Sequence, residues 1–159
     1  MFSPDGACLL VSDGRPSFLL SVDVANRTVV TSLSSLQAQA VEFVPNNANN
    51  IILAADLTNN EIHVLTLSAG CALTEGTPVA TPGTGPRNIA ALPNGQIALV
   101  AHNDGTIGVL SINGSSVSFS TSFIIGGNTA SAALRAQGLF CRTAARPMLT
   151  SVALEMSSC

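Results

Sequence analysis

The sequence contains no lysine, no tryptophan and no tyrosine, and only 9% of its residues carry charge, against about a quarter in an ordinary globular domain. Six arginines face nine acidic residues, for a net charge of −3. With no basic run to neutralise phosphates, the chain is not expected to bind nucleic acid. Low charge does not mean disorder here. Hydrophobic residues make up 47% of the chain, the reverse of the compositional signature that keeps a chain unfolded. No stretch reaches the ~18 apolar residues of a membrane-spanning helix. No signal-peptide pattern opens the chain; Met1 to Gly6 reads as the end of a strand and a turn, with a partner strand expected upstream.

Cysteine is sparse: Cys8, Cys71, Cys141 and Cys159. None are spaced as CxxC, which disfavours a zinc site. Cys8 lies in an apolar run and reads as a buried small hydrophobe. Cys71 and Cys141 fall near turns or strand ends. Without a tight framework the expectation is free thiols, with a disulfide as the alternative.

What is present is a repeat. Turn prolines Pro4, Pro45 and Pro93 punctuate three segments of one pattern. An apolar strand meets the proline turn, and a second, nearly all-apolar strand follows and ends in a polar residue. A third, alternating strand comes next, then a tight turn and a fourth strand. The second strands are Cys8–Val11, Ile51–Ala55 and Ile97–Ala101; the third strands are Leu19–Val24, Ile62–Leu67 and Ile107–Ile112. Period-2 alternation marks strands exposed on one face, and continuous apolar runs mark strands buried on both. Asp-Gly and Asn-Gly pairs supply the positive φ that hairpins require. Four strands per ~40–50 residues is the period of a propeller blade. The expected architecture is therefore all-β, a partial β-propeller of about three and a half four-stranded blades. Its boundaries fall at 1–35, 36–82 and 83–127, with a half blade or divergent tail over 128–159. A helical turn is expected only at Ala130–Ala136.

The stretch Pro86-Arg87-Asn88-Ile89-Ala90-Ala91-Leu92-Pro93-Asn94-Gly95, followed by Ile97-Ala98-Leu99-Val100-Ala101-His102-Asn103, resembles the YVTN-type propeller repeat. Phe2-Ser3-Pro4-Asp5-Gly6 matches the same turn. The resemblance covers roughly residues 1–125 and departs from the pattern where Asp13 and Asp56 replace an Asn. It implies blades packed around a channel, with relatives among surface-layer proteins and lactonase-like propellers.

In such a fold the loops from second to third strands and the loops between blades share one rim. That rim would carry Asp13, Arg15, Asp56, Asn59, Asn60, Arg87, His102, Asn103, Asp104 and Arg135. Asp13, Asp56, Arg87, His102, Asn103 and Asp104 are the binding candidates, weighed against a role in which the aspartates only cap turns. An enzymatic alternative uses Asp13 and Asp56, with His102 and Asn103, to hold a calcium ion that polarises an ester carbonyl, as the lactonase resemblance implies. Their recurrence at one position of the repeat fits a structural pattern better than a unique site. His63, on the opposite face of its strand from Ile62 and Val64, reads as structural. No Ser/His/Asp constellation, GxSxG or strand-to-helix GxGxxG is present. Two sequons, Asn26-Arg27-Thr28 and Asn113-Gly114-Ser115, fall at equivalent hairpins and point to glycosylation if the chain is exported. The sequence thus leads to a non-enzymatic interaction or structural module, extracellular or at the cell surface. A protein partner or a second copy would complete the ring; the alternative is part of a metal-dependent lactonase.

Overall fold

The computed structural model describes residues 1–14 and 17–125. The half blade, the helical turn, Arg15, Arg135 and Cys141 all lie outside the described residues. Within them the chain is all-β, with twelve strands in three antiparallel sheets. The first sheet runs β1 (Cys8–Gly14), β2 (Ser17–Asp23), β3 (Thr28–Leu33). The second runs β4 (Ala38–Phe43), β5 (Ile51–Asp56), β6 (Glu61–Leu67) and β7 (Leu73–Glu75), and β8 (Val79–Ala80) also pairs with β6. The third runs β9 (Pro86–Ala91), β10 (Ile97–His102), β11 (Thr106–Asn113), β12 (Ser116–Ile124).

Sequence neighbours pair within each sheet, as tight turns require, except that β8 returns to β6 rather than pairing with β7. The proline turns place Gly6, Asn46 and Gly95 at positive φ of 73°, 53° and 69°. Only glycine and asparagine adopt this conformation cheaply. The turn glycine of the third sheet is also tight against the second: a Cβ on Gly95 would strike the Pro45 carbonyl. Asn46 Nδ2 donates to Pro93 O at 2.7 Å across the same junction.

The sheets stack face to face through two apolar clusters. On the first interface, Cys8, Leu10 and Leu19 pack against Ile52, Ala54, Leu65 and Leu67. On the second, Ile51, Leu53, Ala55, Ile62 and Val64 pack against Ala98, Val100, Leu110 and Ile112. The middle sheet is therefore covered on both sides, and all six residues of β5 are buried. At about 1.5–3 kcal/mol for each large aliphatic side chain removed from water, β5 and β6 contribute much of the fold's stability. This is the both-faces burial that the apolar second strands imply. β4, the first strand of the second sheet, also touches β1 and β9 of the neighbouring sheets. Glu42 of β4 lies half-buried there and accepts from Ala91 N at 3.5 Å.

The cysteines overturn the expectation of free thiols. Cys8 is bonded to Cys71, 63 residues away. Cys8 points from β1 toward the second sheet, and Cys71 sits in the β6–β7 turn at φ 64°. The bond joins the first sheet to the second at the edge of their shared cluster. Sequence spacing did not suggest the pair because the two residues meet only through the face-to-face stacking of successive repeats.

Candidate functional site

The β5–β6 turn, the β8–β9 connection and the β10–β11 turn converge on one rim, and hydrogen bonds hold them together. Asn60, at positive φ of 57°, is the hinge between the first two. Its backbone carbonyl accepts from Thr81 N and Thr81 Oγ1, both at 2.9 Å, and its Oδ1 accepts from Gly85 N at 2.6 Å. Asn103 N donates to the carbonyls of Thr84 and Gly85. Arg87 Nε donates to Asn103 Oδ1. Gly85 has no room for a side chain: a Cβ would overlap Asn103 Nδ2 and lie 3.1 Å from Leu57 Cδ1.

The aspartates close their own turns. Asp56 is fully buried. Its Oδ1 accepts from Thr58 N and Asn59 N at 2.9 Å each, and its Oδ2 accepts from Asn59 Nδ2 at 3.1 Å. Asp104 is exposed and ties two loops together. It accepts from Thr106 N at 2.9 Å and from Thr84 N and Oγ1 at 2.8 and 3.2 Å. Partial desolvation works to raise the Asp104 carboxyl. The hydrogen bonds from Thr106 and Thr84, backbone and side chain, outweigh it and bring the pKa down to about 2. Donors of this kind stabilise the ionised form. Asp13 stands at the corresponding end of β1, exposed.

His102 occupies the place in β10 that Asp56 holds in β5, the last strand residue before the turn. It is 1% exposed and does not face the rim. Its Nδ1 bonds to Thr106 O at 3.0 Å, which makes Nδ1 the protonated nitrogen when the ring is neutral. Two glycines make space for the ring. A Cβ on Gly83 would lie 2.5 Å from His102 Cγ, and one on Gly108 would lie 3.3 Å from its Cε1. His63 lies on the β6 face that turns toward the first sheet. Its Nε2 is 3.5 Å from Asp56 Oδ2, and its Nδ1 contacts the Glu75 carboxylate.

The rim therefore brings together Asn60, Arg87, Asn103 and Asp104, while Asp56 and His102 lie beneath it. Sequence reasoning missed the Asp56–His63–Glu75 contact, because Glu75 arrives from β7 twelve residues on. It also missed the glycine cradle of His102. Gly83, which forms part of it, read only as part of a linker. Among the described residues no group of three or more His, Cys, Asp or Glu side chains is placed to hold a metal ion. Three donors of its own turn engage the Asp56 carboxylate, two on Oδ1 and one on Oδ2. The sequon asparagines Asn26 and Asn113 are both exposed at hairpin turns, β2–β3 and β11–β12. Asn26 Nδ2 donates to Asp23 Oδ2 at 2.8 Å. No helix of the described residues is long and apolar enough to cross a membrane.

The stacked antiparallel sheets match solved propellers. A functionally unknown protein from Desulfotomaculum acetoxidans superposes with a TM-score of 0.71 at 21% identity, over 80% of this chain and 42% of that one. The periplasmic gluconolactonase of Pseudomonas aeruginosa gives 0.67 at 18% identity, over 79% and 39%. A candidate 6-phosphogluconolactonase from Bacteroides fragilis gives 0.65 at 18% identity, over 75% and 36%. The chain is a partial β-propeller. It spans about two fifths of the length of these structures, and its three described sheets are blades. No family model and no curated protein matches the sequence.

Proposed function

We propose that this chain is a protein-interaction or structural module of the YVTN type, working in an exported or cell-surface assembly, with its rim as the contact surface. The observation that carries this reading is the engagement of the rim carboxylates. Asp56 and Asp104 are held by donors of their own turns, and His102 is buried. What the rim offers outward is the Arg87 guanidinium beside the amide of Asn103, together with exposed Thr84 and Asn59. Such groups recognise a polar partner surface through hydrogen bonds; they do not move protons in a reaction. The Cys8–Cys71 bond supports export, since disulfides persist in oxidising compartments. The sequons at Asn26 and Asn113 agree with it and sit on hairpins away from the rim.

A second reading is favoured by the neighbours that carry lactonase names: this chain is part of a lactonase-type propeller with a calcium-assisted site. Asp13 and Asp56, with His102 and Asn103, would supply the ligands of its metal. One experiment decides between the two. Thermal unfolding is followed with and without calcium, and hydrolysis of gluconolactone is measured on the same sample. No calcium-dependent shift and no turnover are expected. A shift together with lactone hydrolysis that fails in Asp13→Asn would replace the interaction reading with the enzymatic one.

A further inference from the structure

Among the described residues, Asn94 and Asn113 are the asparagines followed by glycine; every other described asparagine precedes a residue with a side chain. The backbone nitrogen after an asparagine is a nucleophile one ring closure away from the asparagine's own Cγ. A glycine at that place has no Cβ to hinder the approach, and its backbone reaches the cyclising geometry most freely. Asn-Gly pairs are therefore where an unassisted change of the chain is fastest, unless the fold restrains the reacting atoms.

The two pairs are held very differently. Asn94-Gly95 lies in the proline turn of the third blade. Gly95 N donates to Leu92 O at 2.9 Å, and Asn94 Oδ1 accepts from Gln96 N at 3.0 Å. Gly95 is buried, with the Pro45 carbonyl where a Cβ would stand, and Asn46 Nδ2 holds the adjoining Pro93 carbonyl. Cyclisation there requires both bonds to open and the turn to back away from the second blade.

Asn113-Gly114 lies in the β11–β12 hairpin, and both residues are exposed. Among the described residues the Asn113 side chain has no hydrogen-bond partner, and Gly114 N donates to no acceptor. The space around the glycine is open: a Cβ built on it would meet only Asn49 Nδ2, at 3.6 Å. Asn47 Nδ2 grips the turn through Gly114 O at 2.9 Å and leaves the nitrogen untouched.

We propose that Asn113 is a site of spontaneous self-modification, in which its side-chain amide is lost through a cyclic imide with Gly114, while the fold protects Asn94. Gly114 N gives up its proton to a solvent base and attacks Asn113 Cγ. The N–Cγ bond forms, the Cγ–Nδ2 bond breaks, and Nδ2 takes up a proton and leaves as ammonia. Water then opens the imide at one of its two carbonyls. Opening at the former side-chain carbonyl gives aspartate; opening at the main-chain carbonyl gives an isoaspartyl link. The isoaspartyl link adds a backbone carbon beside the Asn113–Ser116 pairing at the start of β12. Either product places a carboxylate where the neutral amide stood and removes the Asn113-Gly114-Ser115 sequon.

Peptide mass spectrometry tests this on the full chain, made without glycosylation and incubated in mildly alkaline buffer. Fragmentation assigns each conversion of amide to carboxylate to its residue, and an isoaspartyl-specific methyltransferase detects the rearranged product. In the folded chain Asn113 is expected to convert, with Asn94 slower by at least about tenfold because its two hydrogen bonds must open first. In denaturing urea the two sites should convert at comparable rates, which shows that the fold makes the difference. Asn113→Gln keeps an amide at the hairpin but cannot close the same ring, and it should abolish conversion at that position and leave Asn94 unchanged. A folded chain in which Asn94 reacts as fast as Asn113 overturns the proposal. So does one that keeps Asn113 intact under conditions where the denatured chain converts it, or conversion at Asn113 without any isoaspartyl product.

Discussion

At the residue scale, the turn aspartates show how one side chain can join two loops. Asp104 draws Thr84 of the β8–β9 connection onto the β10–β11 turn and is ionised down to a pKa of about 2. Because its folded pKa lies below the unfolded value near 3.8, its stabilisation is present above that unfolded value. It is lost as pH falls from about 4 toward 2. Asp104→Asn is therefore expected to lower stability by about 1 kcal/mol at pH 7, the usual cost of weakening hydrogen bonds to charged acceptors at a partly solvated site. The variant and the wild type should converge near pH 2, as read from urea midpoints across that range. His102 illustrates the opposite arrangement: a polar ring with one nitrogen bonded to Thr106 O, sealed by Gly83 and Gly108.

At the scale of elements, the strands obey alternation, and the consequential departures lie where first strands touch. Glu42 stands on β4 facing β9, and burial raises its pKa, with the weak bond from Ala91 N opposing. A carboxylate whose folded pKa is raised favours the folded state most when protonated. Its stabilisation is present below the unfolded pKa and declines as pH rises through the folded one. Glu42→Gln keeps the acceptor and removes that desolvated charge. It should stabilise the chain by roughly 0.5–1 kcal/mol at pH 7 and lose the advantage near pH 4. Chemical denaturation at the two pH values checks this, and a destabilised variant at pH 7 would show that Glu42 has a partner that matters more than its burial.

At the scale of the whole molecule, one covalent bond spans two blades. The Cys8–Cys71 pair closes a span of 63 residues. Chain-entropy reasoning puts the destabilisation on removing such a cross-link at about 4 kcal/mol, with 2–5 kcal/mol typical for native disulfides. The double variant Cys8→Ala/Cys71→Ala should fall in that range by urea unfolding, and adding reductant should lower the wild type by the same amount while leaving the variant unchanged. A loss confined to the first blade, seen as faster amide exchange in β1–β3 only, would mean that the blades unfold independently and the bond acts locally. Such behaviour is natural in repeat architectures.

What could be read from the sequence follows from local physics. Strand periodicity, proline turns and positive-φ positions are set by residues close along the chain, so the four-stranded repeat and the buried second strands Ile51–Ala55 and Ile97–Ala101 were legible. The capping role of Asp56 was legible for the same reason, since its donors Thr58 and Asn59 are two and three residues away. What the tertiary structure alone decided involves residues well separated along the chain. It paired Cys8 with Cys71, brought Glu75 to His63 and buried His102 under the Gly83 linker. It also tied Thr84 to Asp104, 20 residues on, and set Arg87 on Asn103. The disulfide depends on how one blade is stacked on the next, and the other contacts on how strands and their connections are brought together within a blade; that geometry is fixed by the sum of many weak apolar contacts, which no short stretch of sequence encodes.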